Sequence, residues 1–264
     1  MAGPKKAAPK MSVNKWDEDL ARFAQESVAT EESVGIGGNM VSVKGGRLSY
    51  NGGEVPGNKM NVIIIDYVLG NAYYDEPFDV DNPSSPVCFA FGRDDKQMAP
   101  HEKSAIPQHH SCKGCPMNEF GSADRGKGKA CANTRRLALI TEDMLEDMES
   151  AQVAFLKVSV TSVKAWAGYV QQLSQVLKRP PFAVVTEISV VPDAKTQFKM
   201  QFKLVSPIDD GDSLAALMQK NKEVKEIIEF PYAPPAEKEE EPPKKNAKFA
   251  GKAAVPKVAP KGRR

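Results

Sequence analysis

The chain has 264 residues, with 36 Lys and Arg against 34 Asp and Glu for a net charge of +2, and 41% of it is hydrophobic. That is enough apolar material for one elaborated domain or two small ones, which excludes a wholly disordered chain. The longest apolar run, Val62-Ile63-Ile64-Ile65, ends at Asp66, far short of the roughly 20 residues of a membrane span, and the N-terminus lacks a signal-peptide core; a cytoplasmic protein without membrane contact is expected.

The small net charge hides a segregation. Residues 1–10 carry three lysines and residues 244–264 carry six lysines and two arginines, all without an acid, and setting those aside leaves −9 on the rest. The composition predicts disordered basic tails over 1–11 and 231–264 around one folded body at 12–230. Basic tails suit a polyanion, and an acidic body requires any nucleic acid to use a local patch.

In chain order, Trp16, Leu20, Phe23, Ala24 and Val28 share one face of a helix expected over 14–28. Val41 to Tyr50 alternates around Gly45-Gly46 as a hairpin, and Asn51-Gly52-Gly53 and Pro56-Gly57 mark turns. Strands are expected over 61–69 and 87–91, joined by a connection rich in aromatics and acids. Thr134 to Ile140 leads away from the last cysteine, and a short helix over 142–148 begins at Thr141 as cap. A strand over 153–158 and a helix over 162–177 follow, the latter with a core stripe of Trp166, Val170, Leu173 and Leu177, stopped by Pro180-Pro181. A long hairpin of 182–191 and 197–205 and a closing helix over 213–228 complete the body. Strands at 61–69, 87–91 and 153–158, then a helix, then two strands give the order of a five-stranded OB-fold barrel, a mainly β, α+β architecture with peripheral helices whose exposed face commonly binds oligonucleotides.

All four cysteines, Cys88, Cys112, Cys115 and Cys131, fall within residues 88–136. The Cys112-Lys113-Gly114-Cys115 knuckle lets two thiolates grip one tetrahedral ion, and Cys88 and Cys131 close the set, which predicts a structural zinc held by an inserted loop. His101, His109 and His110 are alternate ligands, and four cysteines also suit an iron–sulfur cluster. A catalytic zinc would have His-x-Glu before its cysteine pair; His101-Glu102 is adjacent instead, and no nucleophile triad or dinucleotide fingerprint is present, so a non-enzymatic protein is expected. Gly121 to Gly128 approaches a phosphate-loop pattern, but Gly128 has no hydroxyl for magnesium. Arg125, Lys127, Lys129, Arg135 and Arg136 form a basic cluster suited to phosphates, with Tyr73, Tyr74 and Phe120 as candidate base-stacking rings. Phe89 and Phe91 should share one strand face, opposite Cys88 and Ala90.

The runs Pro86-Val87-Cys88-Phe89-Ala90-Phe91-Gly92, Ala99-Pro100-His101-Glu102, Cys112 to Ala123 and Gly126-Lys127-Gly128-Lys129-Ala130-Cys131 resemble a family of small tailed-bacteriophage proteins with a Cys-x-x-Cys-Pro motif. More distantly, the element order and metal insertion are similar to zinc-containing phage single-stranded-DNA-binding proteins of the OB type, from which this chain departs by ending basic. The resemblance implies single-stranded-DNA binding in phage replication or recombination, in the host cytoplasm. A different class of reading follows from the acidic body: a zinc-stabilised adaptor for a host or phage polymerase or another replication or transcription protein.

Overall fold

The computed structural model describes residues 20, 22, 39–76, 84–124 and 126–232. The helix expected over 14–28 lies outside these residues except for Leu20 and Arg22, both helical. The tail expected over 1–11 and all but Pro231 and Tyr232 of that expected over 231–264 also lie outside them.

Strand β4 (Lys59–Tyr73) organises the rest. Its residues Val62, Ile63, Ile64 and Ile65 are all buried although a strand points alternate side chains to opposite faces, because both faces are covered. One edge of β4 pairs antiparallel with β6 (Ala132–Thr141), from Val62 opposite Thr141 to Ala72 opposite Ala132, with a bulge between Ile64 and Asp66. The other edge is divided: β8 (Val184–Asp193) takes Lys59 to Val62 and β5 (Cys88–Gly92) takes Leu69 to Tyr73. Where these two part, side chains serve the freed carbonyls. Asn221 Nδ2 donates to Ile65 O at 2.6 Å, and Arg93, which also grips the buried Asp66 carboxylate, donates to Tyr67 O at 3.2 Å.

Outward from β6 follow β7 (Ala154–Val158), β1 (Asn39–Lys44) parallel to it, β2 (Arg47–Tyr50) and β3 (Gly53–Glu54); outward from β8 lies β9 (Gln197–Pro207). The sheet is curled into a half-barrel, and Asn58 ties its ends together. Its Oδ1 accepts from Leu48 N at 2.6 Å while its Nδ2 donates to Gly46 O at 2.7 Å and Val190 O at 3.1 Å. The residue sits at φ 60°, a left-handed conformation that asparagine tolerates better than most.

Two helices cover the two faces. Helix α1 (Val163–Gln172) fills the concave side, where Leu48, Val62, Leu137, Leu156, Ile188 and Met200 from strands all round the curl form one buried cluster with Trp166. Trp166 packs edge-on against Tyr67 and Phe202. Helix α2 (Gly211–Ile227) sets Leu217 and Val224 against Ile63, Ile65, Ala138, Ile140 and Val185 on the convex side; Asp210 caps it by accepting from Ser213 N at 2.8 Å.

Several expectations need correcting. β6 pairs along one edge of β4 and β5 is a strand added on its other edge, so the strand order expected from sequence is wrong at that position. Residues 142–145 form a 3₁₀ turn in place of a helix to 148, and Thr141 makes no capping bond. The helix expected to reach 177 leaves α geometry after Gln172 for a π turn over Leu173–Leu177, which ends at Lys178 in the left-handed region. At the end of the described residues Tyr232 stacks on Phe91.

Candidate metal centre and nucleic-acid interface

The sheet itself gathers the cysteines. Since β5 and β6 both run antiparallel to the end of β4, Cys88 is placed opposite Tyr73 at the start of β5, and Cys131 directly precedes Ala132, the partner of Ala72. The knuckle is tied back to the same end of the sheet. Cys112 N donates to Met98 O at 2.9 Å, Asn118 N to Cys115 O at 2.9 Å and Cys131 N to Met117 O at 2.8 Å. Gly114 takes φ 78° within the turn between the paired cysteines, where a side chain would strain the backbone.

All four thiols and His109 line one cavity of about 20 Å³, room on the scale of a single ion or water. Among the described residues no three or more His, Cys, Asp or Glu side chains stand in metal-holding geometry. The donor set nevertheless has the chemistry of a cation site. Burial pushes the Cys131 thiol up to about 12, helped by its three cysteine neighbours, and burial likewise raises Cys112, against which a hydrogen bond from Asn71 works. Thiols crowded this way ionise when a divalent cation supplies the missing positive charge.

The three histidines separate. His109 lines the cavity, with Nδ1 2.8 Å from Ser111 O, which leaves Nε2 as its free nitrogen. His101 stacks on Phe89 and its Nδ1 accepts from Lys103 N at 3.1 Å, and His110 packs on His109; neither lines the cavity.

The segment between Cys115 and Cys131, here called the finger, is closed by Gly121 N donating to Gly128 O at 2.8 Å. On it Phe120 is 82% exposed, and the Lys129 ammonium stands 5.0 Å from the ring centroid. Lys127 and Lys113 are exposed. Amides connect Lys129 to the cavity: Lys129 Nζ donates to Asn118 Oδ1 at 3.2 Å, Asn133 Nδ2 donates to Asn118 Oδ1 and to Asn71 Oδ1, and Asn118 Nδ2 donates to Cys112 O at 3.0 Å. No family model, curated protein or solved structure matches the chain.

The expected basic cluster divides. Lys127 and Lys129 belong to the finger, and Arg125 lies outside the described residues. Arg135 is half-buried on the concave-side face of β6, donates to Thr134 O at 2.8 Å, and burial lowers its pKa. Arg136 is buried on the convex-side face, so it is not an exposed phosphate contact. It donates to Ile228 O at 3.0 Å and Phe230 O at 2.6 Å, with its guanidinium 3.9 Å from the centroids of both Phe91 and Phe230. Tyr73 lines the cysteine cavity, whereas Tyr74 lies apart beside Lys157, whose Nζ is 3.4 Å from its hydroxyl. Phe89 and Phe91 do share a face, with Phe89 buried. Lys157 and the aromatic cluster around Tyr232 were not singled out from sequence; the alternation Phe155-Leu156-Lys157-Val158, which puts a lysine on a covered face, was the available signal.

Proposed function

We propose that this chain is a non-enzymatic single-stranded-DNA-binding protein of a phage replication or recombination system. The observation that carries the reading is the cysteine-based finger, which holds an exposed aromatic ring, Phe120, beside the ammonium of Lys129. Such pairs of ring and cation suit a stacked base and its phosphate with little sequence preference. Lys127 and Lys113 add exposed charge to the cysteine-bearing segment. Zinc is the proposed cofactor, held by Cys88, Cys112, Cys115 and Cys131, with His109 as alternate ligand. Its chemistry is structural: it neutralises buried thiolates and fixes the base of the finger.

The body is proposed to be an OB-type barrel built from β4, β6, β7, β8 and β9. In support, β4 pairs with both β6 and β8, β9 pairs with β8, and α1 lies between β7 and β8 in sequence. The departure from that pattern is the β1–β2 hairpin, which occupies the free edge of β7.

Fluorescence-anisotropy titration of the full chain against a labelled oligothymidine tests the reading. Lys127→Ala with Lys129→Ala is expected to flatten the salt dependence by about 1.4 log units of affinity per log unit of salt, from roughly 0.7 per phosphate contact. An unchanged slope rejects the finger as the interface. The charge of −9 outside residues 1–10 and 244–264 favours a second reading, a zinc-stabilised adaptor for a replication or transcription protein, and binding carried by the tails alone would select it.

A further inference from the structure

The convex face of the sheet carries a feature that packing alone does not require. Arg136 on β6 and Lys157 on β7 are direct cross-strand partners on the same face. Like charges so placed repel, and among the described residues neither makes an ion pair. Around them stand Phe89, Phe91 and Tyr74, and into this seat reaches Tyr232, five residues beyond the end of α2. The Tyr232 ring is stacked with Phe91 at 5.7 Å between centroids and 22° between planes, and edge-on to Phe89 at 5.2 Å. Lys157 Nζ lies 5.7 Å from the Tyr232 centroid and 5.7 Å from that of Tyr74.

A flat ring stacked on Phe91 beside the exposed Lys157 ammonium has the chemistry of a nucleobase with its phosphate, while Arg136, buried beneath the ring, orders the seat. The anchoring of the chain is uneven. Ile228 and Phe230 are held by Arg136 through their carbonyls, and Phe230 N donates to Ile227 O at 3.2 Å, whereas Tyr232 is held through its side chain, by ring contacts and a hydrogen bond with Arg136.

We infer that the face formed by Phe91 and Lys157, over the buried Arg136, is a second single-strand site, whose base-stacking position Tyr232 fills in cis until a nucleobase displaces it. The inference rests on the proposed single-strand binding and extends it from the finger to the convex face. Emptying the seat removes the competitor, so a self-occluded site gains the affinity that occlusion withheld.

The test uses the full chain and a labelled oligothymidine long enough to reach both sites. Tyr232→Ala is expected to tighten binding about two- to tenfold, the range for one aromatic stacking contact, and adding Lys157→Ala is expected to remove that gain. Nitration of the unaltered protein by tetranitromethane gives an independent reading: the Tyr232 ring should react faster once the oligonucleotide is added. Affinity that is unchanged or weaker in Tyr232→Ala, or slower nitration of Tyr232 on binding, overturns the inference while leaving the finger reading standing. Binding by neither protein at low salt overturns both.

Discussion

Replacing Phe120 by alanine separates a binding ring from a structural one. The ring is 82% exposed, with the Lys129 ammonium 5.0 Å from its centroid. Removing it should change folding stability by no more than about 0.5 kcal/mol, the usual range for a surface substitution. If the ring stacks on a base, the same change should cost about 1–3 kcal/mol of binding, a loss of roughly 5- to 150-fold. The assay is oligothymidine anisotropy at fixed salt beside a thermal melt of both proteins. Because Phe120 carries no charge, the salt slope should stay put while the affinity falls, the opposite of the pattern expected for Lys127→Ala. Affinity within twofold of the parent would refute the reasoning. So would a large fall in melting temperature, since the ring would then be a packing element.

Metal removal should act locally. The cysteine cavity adjoins a small cluster of Ala90, Met98 and Cys112, separate from the two large clusters on the faces of the sheet. Chelation is therefore expected to release one zinc per chain by elemental analysis, abolish the contribution of the finger to binding and leave the far-ultraviolet signature of the sheet intact; iron in that analysis would reassign the site. Asn58→Ala should destabilise by about 3 kcal/mol, since alanine is strained at φ 60° and three backbone groups lose their partner. Asn58→Gly, which accepts that φ, should cost roughly 1 kcal/mol less in urea unfolding. Asp193 is held far below the usual carboxylate range by Lys199 first and then by Thr196. Its depressed folded pKa means its stabilisation is present above the unfolded value near 4 and fades as pH falls through the folded one. Asp193→Asn should accordingly melt lower than the parent at pH 7, with the gap narrowing in acid; a gap constant with pH would contradict this.

How much of this was legible depended on whether neighbouring residues agreed. The hairpin at Gly45-Gly46, the run at Val62 to Ile65, the helix around Trp166 and the hairpin of β8 and β9 each combine pattern with turn chemistry, and they stand where expected. β6 was harder because Arg135-Arg136 interrupts its apolar run. A buried arginine is readable only once the rings of Phe91 and Phe230, distant in sequence, are known to flank it. For the same reason the strand following β4 in a sequence reading is β5, although β6 is its longer partner. The parallel pairing of β1 with β7 joins residues more than 100 positions apart, with no local signal. In the site, cysteine spacing was informative because the chemistry is local, while sequence proximity misled for the basic cluster. Arg135 and Arg136 are adjacent, so a strand sends them to opposite faces, and neither joins Lys127 and Lys129 on the finger.

The most direct test of single-strand binding by the finger is a salt series of oligothymidine binding by the full chain and by Lys127→Ala with Lys129→Ala, with zinc content measured on the same samples. The account predicts one zinc per chain, preference for single over double strands, and a slope reduced by about 1.4 in the double variant. Equal slopes and equal affinities for the two proteins, both zinc-loaded, would contradict it.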